Sequence, residues 1–518
     1  MLFNSLEFLF FYLPVVFFGF FLVAGARWGG ARLAAIWLGL GSLFFYGWWD
    51  TRFLWLLGGS IVFNYILGRA QARNPRRPFW LVALAVGGNL AALCLFKYAG
   101  LFVSTLNQVA GTGFAVPSIA LPLGISFYTF TQIAFQMDVY KGYAEEYDFS
   151  HYVLFVTYFP HLVAGPILHH KQMMPQFRRE RTYRIDPANV AVGLSLFTAG
   201  LAKKVLLADR LGEYSVALFS FAGQGGAPKL LSAWAGALAF TFQIYFDFSG
   251  YSDMAIGLSL LFNITLPINF NSPYRAANIA DFWRRWHISL STFLKDYLYI
   301  PLGGNRLGVA RRYANLMVVM LLGGLWHGAS WTFLLWGGLH GLYLCVNHLW
   351  GWLRGLLTRR TPGRGERLAG QALTFLAVVV AWVLFRAESA PAAARVLLGM
   401  SGQAGVSLPL SALRLYEWLT GVTAPAGLVF GGAFADNPAL AGLGAARLAG
   451  LLGVSAAVAW LLPNTQAVFR EGLHLGGTEG VWRLNWRPNC GWAVVLGLTL
   501  AACVMDMQHV SEFLYFQF

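Results

Sequence analysis

Two histidines stand where a titratable ring is out of place. His327 lies in "LLGGLWHGASWTFLLWGGLHG", residues 321–341, a stretch without one formal charge. His287 lies in "DFWRRWHISLSTFLKDYLYIPLGGNR", residues 281–306, among aromatic and cationic side chains. A neutral imidazole is well matched to taking a proton near neutral pH. A ring that deprotonates a hydroxyl suits acyl transfer from a thioester, and direct transfer needs no enzyme nucleophile. The chain carries neither a G-x-S-x-G nucleophile elbow nor an H-E-x-x-H zinc motif.

The depth of His327 follows from its neighbours. Arg311 and Arg312 mark the cytoplasmic start of its segment. His327 comes fifteen residues after Arg312, a helical rise of roughly 20 Å inside a hydrocarbon core of about 30 Å. Gly323, Gly324 and Gly328 flank it, and small residues let backbones approach closely. His340 reads as an ordinary core histidine.

The segment holding His287 has a different pattern. As one helix it puts Arg284, His287, Ser291 and Lys295 on one face and Phe282, Trp286, Leu290, Phe293 and Tyr297 on the other. Two readings stay open. The helix lies along the headgroups, its arginines on phosphates, or it borders a buried polar cavity and turns its cations toward an anionic substrate such as a nucleotide phosphate. A third stretch, "YFDFSGYSDMAIG" at 245–257, places Asp247 and Asp253 in an apolar run. Intramembrane carboxylates face the protein interior or a water-filled cavity. Asp247 and Tyr251 share a helix face, whereas Asp247 and Asp253 do not. These residues form either a network that locks helices together or a direct part of the chemistry.

The elements that must position these groups are membrane helices. Of 518 residues, 57% are hydrophobic and 11% charged, against about 25% charged in soluble domains, and mean hydropathy is +0.57. The expected class is an all-α polytopic membrane protein, a single multi-pass domain over residues 1–518. The net charge of +15 concentrates in short loops, at Arg69, Arg73, Arg76 and Arg77 and again at Arg354, Arg359, Arg360, Arg364 and Arg367. Such loops stay cytoplasmic, so the charge is a topology signal, and nucleic-acid binding is a poor reading. The N-terminal run has no basic n-region and carries Glu7, and its arginines, Arg27 and Arg32, follow it. It therefore reads as an uncleaved first crossing with a periplasmic N-terminus. The four cysteines form no CxxC and read as core residues, without disulfide or metal.

Crossings are expected at 8–25, 33–48, 53–68, 79–97, 121–137, 151–168, 188–208, 230–246, 252–268, 313–326, 330–350, 369–386, 446–463 and 491–507. Parity between the basic loops requires that 98–117 contributes or that one segment dips in and turns back. About eleven true crossings result, plus re-entrant pieces. Irregular backbone at that depth survives only beside protein or a cavity. Residues 387–445 read as an extramembrane excursion and 464–490 as a cytoplasmic loop. No fixed-period repeat is present.

Taken together, "FWRRWHISLSTFLKDYLYIPLGGNR" and "LWHGASWTFLLWGGLHG" resemble the membrane-bound O-acyltransferase family, above all its bacterial polysaccharide branch. "LPLGISFYTFTQIAFQMDVYKG", "FPHLVAGPILHH", "YFDFSGYSDMAIGLSLLFNITLPINFNSPY", "WVLFRAES" and "SEFLYFQF" extend the resemblance over nearly the whole chain. It implies a helical bundle with re-entrant segments around a membrane-crossing tunnel in the bacterial inner membrane. His327 then takes the place of the family's essential histidine, and His287 that of its second characteristic position. The resemblance also implies acetyl-CoA as acyl donor, with no metal. Arg284, Ser291 and Lys295 are the candidates for holding that donor, and Trp326 joins Asp247, Tyr251 and Asp253 as tunnel or network residues. The expected partners are a periplasmic protein that accepts the acetyl group, a polysaccharide acceptor and membrane lipid. The expected acceptor is an alginate- or cellulose-like exopolysaccharide, with peptidoglycan second. A transporter and a structural subunit of a secretion complex are the non-enzymatic alternatives.

Overall fold

Apolar segments of this length become helices because lipid offers backbone groups no other partner. In a computed structural model the described residues are 1–27, 30–144, 148–357, 360, 362–408, 414, 417–421, 428–430, 432–470, 472–473, 484–507 and 512–514. Three helices open the chain, α1 (Phe8–Gly25), α2 (Ala31–Gly47) and α3 (Arg52–Arg73). Next, α4 (Phe79–Ala110) runs on through the position where the sequence suggested an end at residue 97. A π-helical turn, Cys94–Tyr98, interrupts it. α5 (Ile125–Lys141) returns, and the Arg77 guanidinium sits against Gly142 at its end. The basic loop and the end of α5 therefore share one end of the bundle.

α6 (Phe149–Thr157) stops at Tyr158, a short turn Phe159–Leu162 follows, and irregular chain leads to α7 (His170–Phe177). The segment expected to cross at 151–168 is thus broken rather than one helix. Its backbone is tied to protein, as irregular chain at depth requires: Phe159 N–H donates to Ser42 Oγ at 3.1 Å and Ile167 N–H to Ser289 Oγ at 3.0 Å.

The centre is built from α8 (Pro187–Gly223) and α9 (Leu230–Leu261). The break expected between residues 246 and 252 does not occur. α9 is one helix of 32 residues, about 48 Å long, and nearly all of its second half is buried. It touches α8 through glycines. A Cβ on Gly193 would meet the Gly257 carbonyl, and one on Gly250 the Gly200 carbonyl, the close approach that small residues permit in membranes.

The expected helix over 281–306 is also broken. α10 (Ile279–Arg285) ends before His287, which has φ +43°, and α11 (Ile288–Leu294) begins after it. A π-turn, Lys295–Tyr299, follows. α12 (Val309–His327), α13 (Trp331–Leu357) and α14 (Arg364–Arg386) complete the wall, then α15 (Ala390–Met400). Within 387–445 lie two short parallel strands, β1 (Val406–Leu408) and β2 (Leu428–Phe430), with Val406 opposite Leu428. α16 (Ala445–Trp460) and α17 (Cys490–Asp506) end the helical part. Arg359, much of 409–431, most of 471–483 and most of the C-terminal "SEFLYFQF" lie outside the described residues.

Among the described residues five helices are long and apolar enough to span a bilayer: α1, α3, α4, α8 and α14. Their outer faces present large apolar side chains, such as Phe11 at 67%, Trp55 at 86% and Leu373 at 71% exposure. A water-soluble surface does not carry contiguous apolar area of this kind, whereas hydrocarbon favours it.

Candidate active site

His327 is the last residue of α12, and the chain leaves it through Gly328 in extended conformation, φ −165°. The ring is 4% exposed. Three aromatic rings box it: Trp326 at 4.9 Å, Trp336 at 5.2 Å and Phe385 at 5.2 Å between centroids, all near edge-to-face. Trp336 comes from α13, packed against α12, and Phe385 from α14, packed against α13. Gly324 makes that approach possible, because a Cβ there would run into the Phe333 carbonyl of α13.

The fourth neighbour is His287, with ring centroids 6.4 Å apart at 61°. His287 is fully buried, against Phe248 of α9 at 4.7 Å. Its left-handed backbone is held from below. Asn269 Oδ1 accepts from Ser289 N–H at 3.1 Å and Ser289 Oγ–H at 2.9 Å, and lies 3.2 Å from His287 Nδ1. An atom that accepts from a backbone N–H is an oxygen, so Nδ1 is the protonated nitrogen of a neutral His287 and the lone pair is on Nε2.

The helix break separates what the sequence placed on one face. His287 turns inward, whereas the side chains of Arg284 and Lys295 are 70% and 64% exposed and pair with Asp281 and Asp296 at 3.6 and 3.8 Å. Ser291 Oγ donates to the Trp283 carbonyl at 3.1 Å. The strain at His287 overrides the 3.6-residue period, and the four residues do not form one stripe.

Asp247, Tyr251 and Asp253 belong to a lock rather than to the histidine pair. Lys203 Nζ lies 2.6 Å from Asp253 Oδ2, and Thr465 and Gln466 also donate to that carboxylate, at 2.8 and 2.9 Å. Lys204 Nζ lies 2.7 Å from Asp247 and 2.8 Å from Asp209. Leu514 N–H donates to Asp247 Oδ2 at 3.0 Å, and Lys204 donates to the Glu512 carbonyl at 3.0 Å. Tyr251 stacks on Phe3 at 4.9 Å and meets Phe513 at 4.8 Å. The two ends of the chain are thus fastened to α9. Both lysines sit in a π-turn, Lys203–Ala208, whose extra residue turns consecutive side chains inward.

The sequence reading missed Lys97. In the π-turn of α4, its ammonium donates to the Trp326 carbonyl at 2.6 Å, the His327 carbonyl at 3.3 Å and Ser126 Oγ at 3.1 Å. Tyr98 OH donates to the Leu325 carbonyl at 2.8 Å. The last carbonyls of α12 are thereby capped by a cation and a phenol, as favours a helix C-terminus. The sequence signal was weak, because Lys97 closes the expected crossing 79–97, where a long cation ordinarily reaches the headgroups. His327, Lys97, Ser126, Val163, Trp326 and Trp49 line one cavity of about 190 Å³. An apolar cavity of about 150 Å³ holds benzene, so this one accommodates a small acyl group and a hydroxyl. Val163 comes from the re-entrant segment and Trp49 from just beyond the end of α2. Among the described residues no three His, Cys, Asp or Glu side chains form a metal site.

This arrangement, a buried histidine on the wall of a small cavity with a second histidine ring 6.4 Å from it, fits acyl transfer to a hydroxyl. Comparison with known proteins agrees. Residues 89–385 match the model of the membrane-bound O-acyltransferase family, a span that includes both histidines and Lys97. The peptidoglycan O-acetyltransferase of Helicobacter pylori is 43% identical over 79% of this chain and 81% of its own length. The probable alginate O-acetylase of Pseudomonas aeruginosa is 44% identical over 77% of this chain and 75% of its own. That of Pseudomonas syringae pv. tomato is 38% identical over 100% of both. This chain is a multi-pass membrane enzyme that transfers acyl groups to oxygen, and it belongs to the membrane-bound O-acyltransferase family.

Proposed function

We propose that the protein takes acetyl groups from cytoplasmic acetyl-CoA and passes them across the inner membrane for O-acetylation of an exopolysaccharide. The observation that carries this is the shared cavity of His327 and Lys97, read with relatives named for O-acetylation. In the proposed step His327 takes the proton from an acceptor hydroxyl. The hydroxyl oxygen bonds to the thioester carbonyl carbon, the C–S bond breaks, and coenzyme A leaves as thiolate to be reprotonated. His287, its tautomer set by Asn269, orients the reacting groups. Lys97 holds the α12 terminus so that the His327 ring stays on the cavity wall.

The basic loops are cytoplasmic and the N-terminus periplasmic, which places the cavity mouth near Trp49 on the periplasmic side. There a partner protein receives the acetyl group and completes transfer to the polymer. Arg284 and Lys295, exposed at the other end, meet the donor's phosphates. The strands β1 and β2 lie outside the hydrocarbon, since an open two-stranded sheet leaves backbone groups that lipid cannot satisfy. Peptidoglycan is the second acceptor, favoured by the Helicobacter pylori relative. Mass spectrometry of secreted polysaccharide and of muropeptides, with and without the gene, decides between them. Loss of O-acetyl from the secreted polysaccharide alone is expected. Loss from muropeptides alone selects the second acceptor, and loss from neither refutes both.

A further inference from the structure

A second cavity lies directly behind the first. It measures about 710 Å³ and is lined mostly by apolar side chains from five parts of the fold, among them Leu90, Cys94, Phe130, Phe293, Leu325 and Trp331. That size falls in the range of roughly 300–1,000 Å³ typical of sites for larger ligands, whereas the histidine cavity, at about 190 Å³, falls below it. Among the described residues that line the two spaces, Trp326 alone lines both. Its ring is one layer of an aromatic stack. Phe130 lies parallel to it at 5.2 Å and 19°, and Phe293 parallel to Phe130 at 4.3 Å and 11°. Phe127 closes the edge at 5.3 Å. The small cavity has polar walls at Lys97, Ser126 and His327, and the large one opens beside exposed apolar residues such as Phe102 and Leu322.

We propose that Trp326 sets acyl-chain length. Its indole is the wall that stops the donor's acyl group at two carbons, and the apolar space behind it takes a longer chain once the wall is thinned. The inference rests on the acyl-CoA reading above. In a site of this kind the thioester carbonyl sits against His327, so a chain beyond acetyl must extend into some neighbouring space. Three directions are closed by Trp336, Phe385 and His287 around the ring. Behind Trp326 there is room, and the room is apolar, as a methylene chain requires.

The test measures coenzyme A release from acetyl-, butyryl- and octanoyl-CoA by the purified, detergent-solubilised protein. Wild type is expected to turn over acetyl-CoA and discriminate against the longer donors. In Trp326→Ala the octanoyl-to-acetyl rate ratio is expected to rise roughly tenfold or more, since a few methylenes in an apolar pocket are worth factors of that size. Trp326→Phe, the milder change, and Phe130→Ala, which thins the stack from its other layer, are expected to shift the ratio in the same direction by less. Adding Cys94→Trp to Trp326→Ala refills the apolar space and is expected to reverse the gain. An unchanged ratio in any monodisperse Trp326 variant, with wild type active on acetyl-CoA, overturns the wall and leaves the enzyme reading standing. A wild type that cleaves no acyl-CoA overturns the enzyme reading, and this inference with it.

Discussion

Lys97 places a cation where the bilayer would otherwise forbid one, and the three carbonyl and hydroxyl oxygens around it show what it is for. An ammonium has three protons, and Trp326 O, His327 O and Ser126 Oγ account for all of them. In the proposed mechanism it holds His327 in position. Lys97→Met leaves the same bulk without the bonds, and its turnover is expected to fall by about tenfold to a hundredfold, a loss in kcat more than in KM, as expected when a catalytic group is misplaced. Lys97→Arg, which keeps charge and donors, is expected to recover part of that loss. Equal KM and kcat for Lys97→Met and wild type, measured by coenzyme A release, would contradict the positioning role. At this scale the sequence was half legible. The two histidines stood out because titratable rings are rare in apolar runs. Lys97 stood at what looked like the end of a crossing, where long cations ordinarily reach the headgroups. Only the continuation of α4 to Ala110 puts it at depth.

At the scale of elements, the bundle is fastened by buried lysine–carboxylate pairs between α8 and α9. Removing one partner of such a pair leaves an unpaired charge in a medium of low dielectric, a loss of about 3–5 kcal/mol. Asp253→Ala strands Lys203 and also releases Thr465 and Gln466. It is expected to lower the melting temperature in detergent and reduce the amount of folded protein. A variant that melts like wild type but is inactive would instead give Asp253 a direct part in the chemistry. The helical period misled where backbone geometry intervened. Residues 281–295 follow a clean amphipathic pattern, yet His287 adopts φ +43° because Asn269 captures its ring and the following turn. The stripe of Arg284, His287, Ser291 and Lys295 is thus divided between the surface and the core. In α9 the opposite happened. Two crossings were expected, at 230–246 and 252–268, but Asp247, Asp253 and Gly250 are each paired or packed against α8 and one helix runs through. Side-chain partners far away in sequence decide both cases, and no local pattern contains them.

For the whole molecule, the class was legible from composition alone, since 57% hydrophobic and 11% charged residues leave no water-soluble core to build. The order of crossings was less so. The segment expected to cross at 151–168 is broken after Thr157, and the reason is again tertiary: Ser42 and Ser289 take up backbone groups that the break exposes. The proposed sidedness rests on the arginines. Single cysteines placed at Arg73 and Arg364 are expected to resist a membrane-impermeant maleimide in intact cells and to react after permeabilisation, while one at Trp49 reacts in intact cells. Labelling of Arg73 or Arg364 positions from outside would invert the map and, with it, the side from which the donor enters.

The central claim, that His327 is the base for acyl transfer, is tested most directly by one comparison. Coenzyme A release from acetyl-CoA is followed for purified wild type and His327→Ala, with folding of both checked by size exclusion and thermal melting. General-base help is worth about 10²–10⁴ in rate, so His327→Ala is expected to lose turnover by at least about a hundredfold while remaining folded. A folded His327→Ala protein that retains near-normal turnover contradicts the assignment.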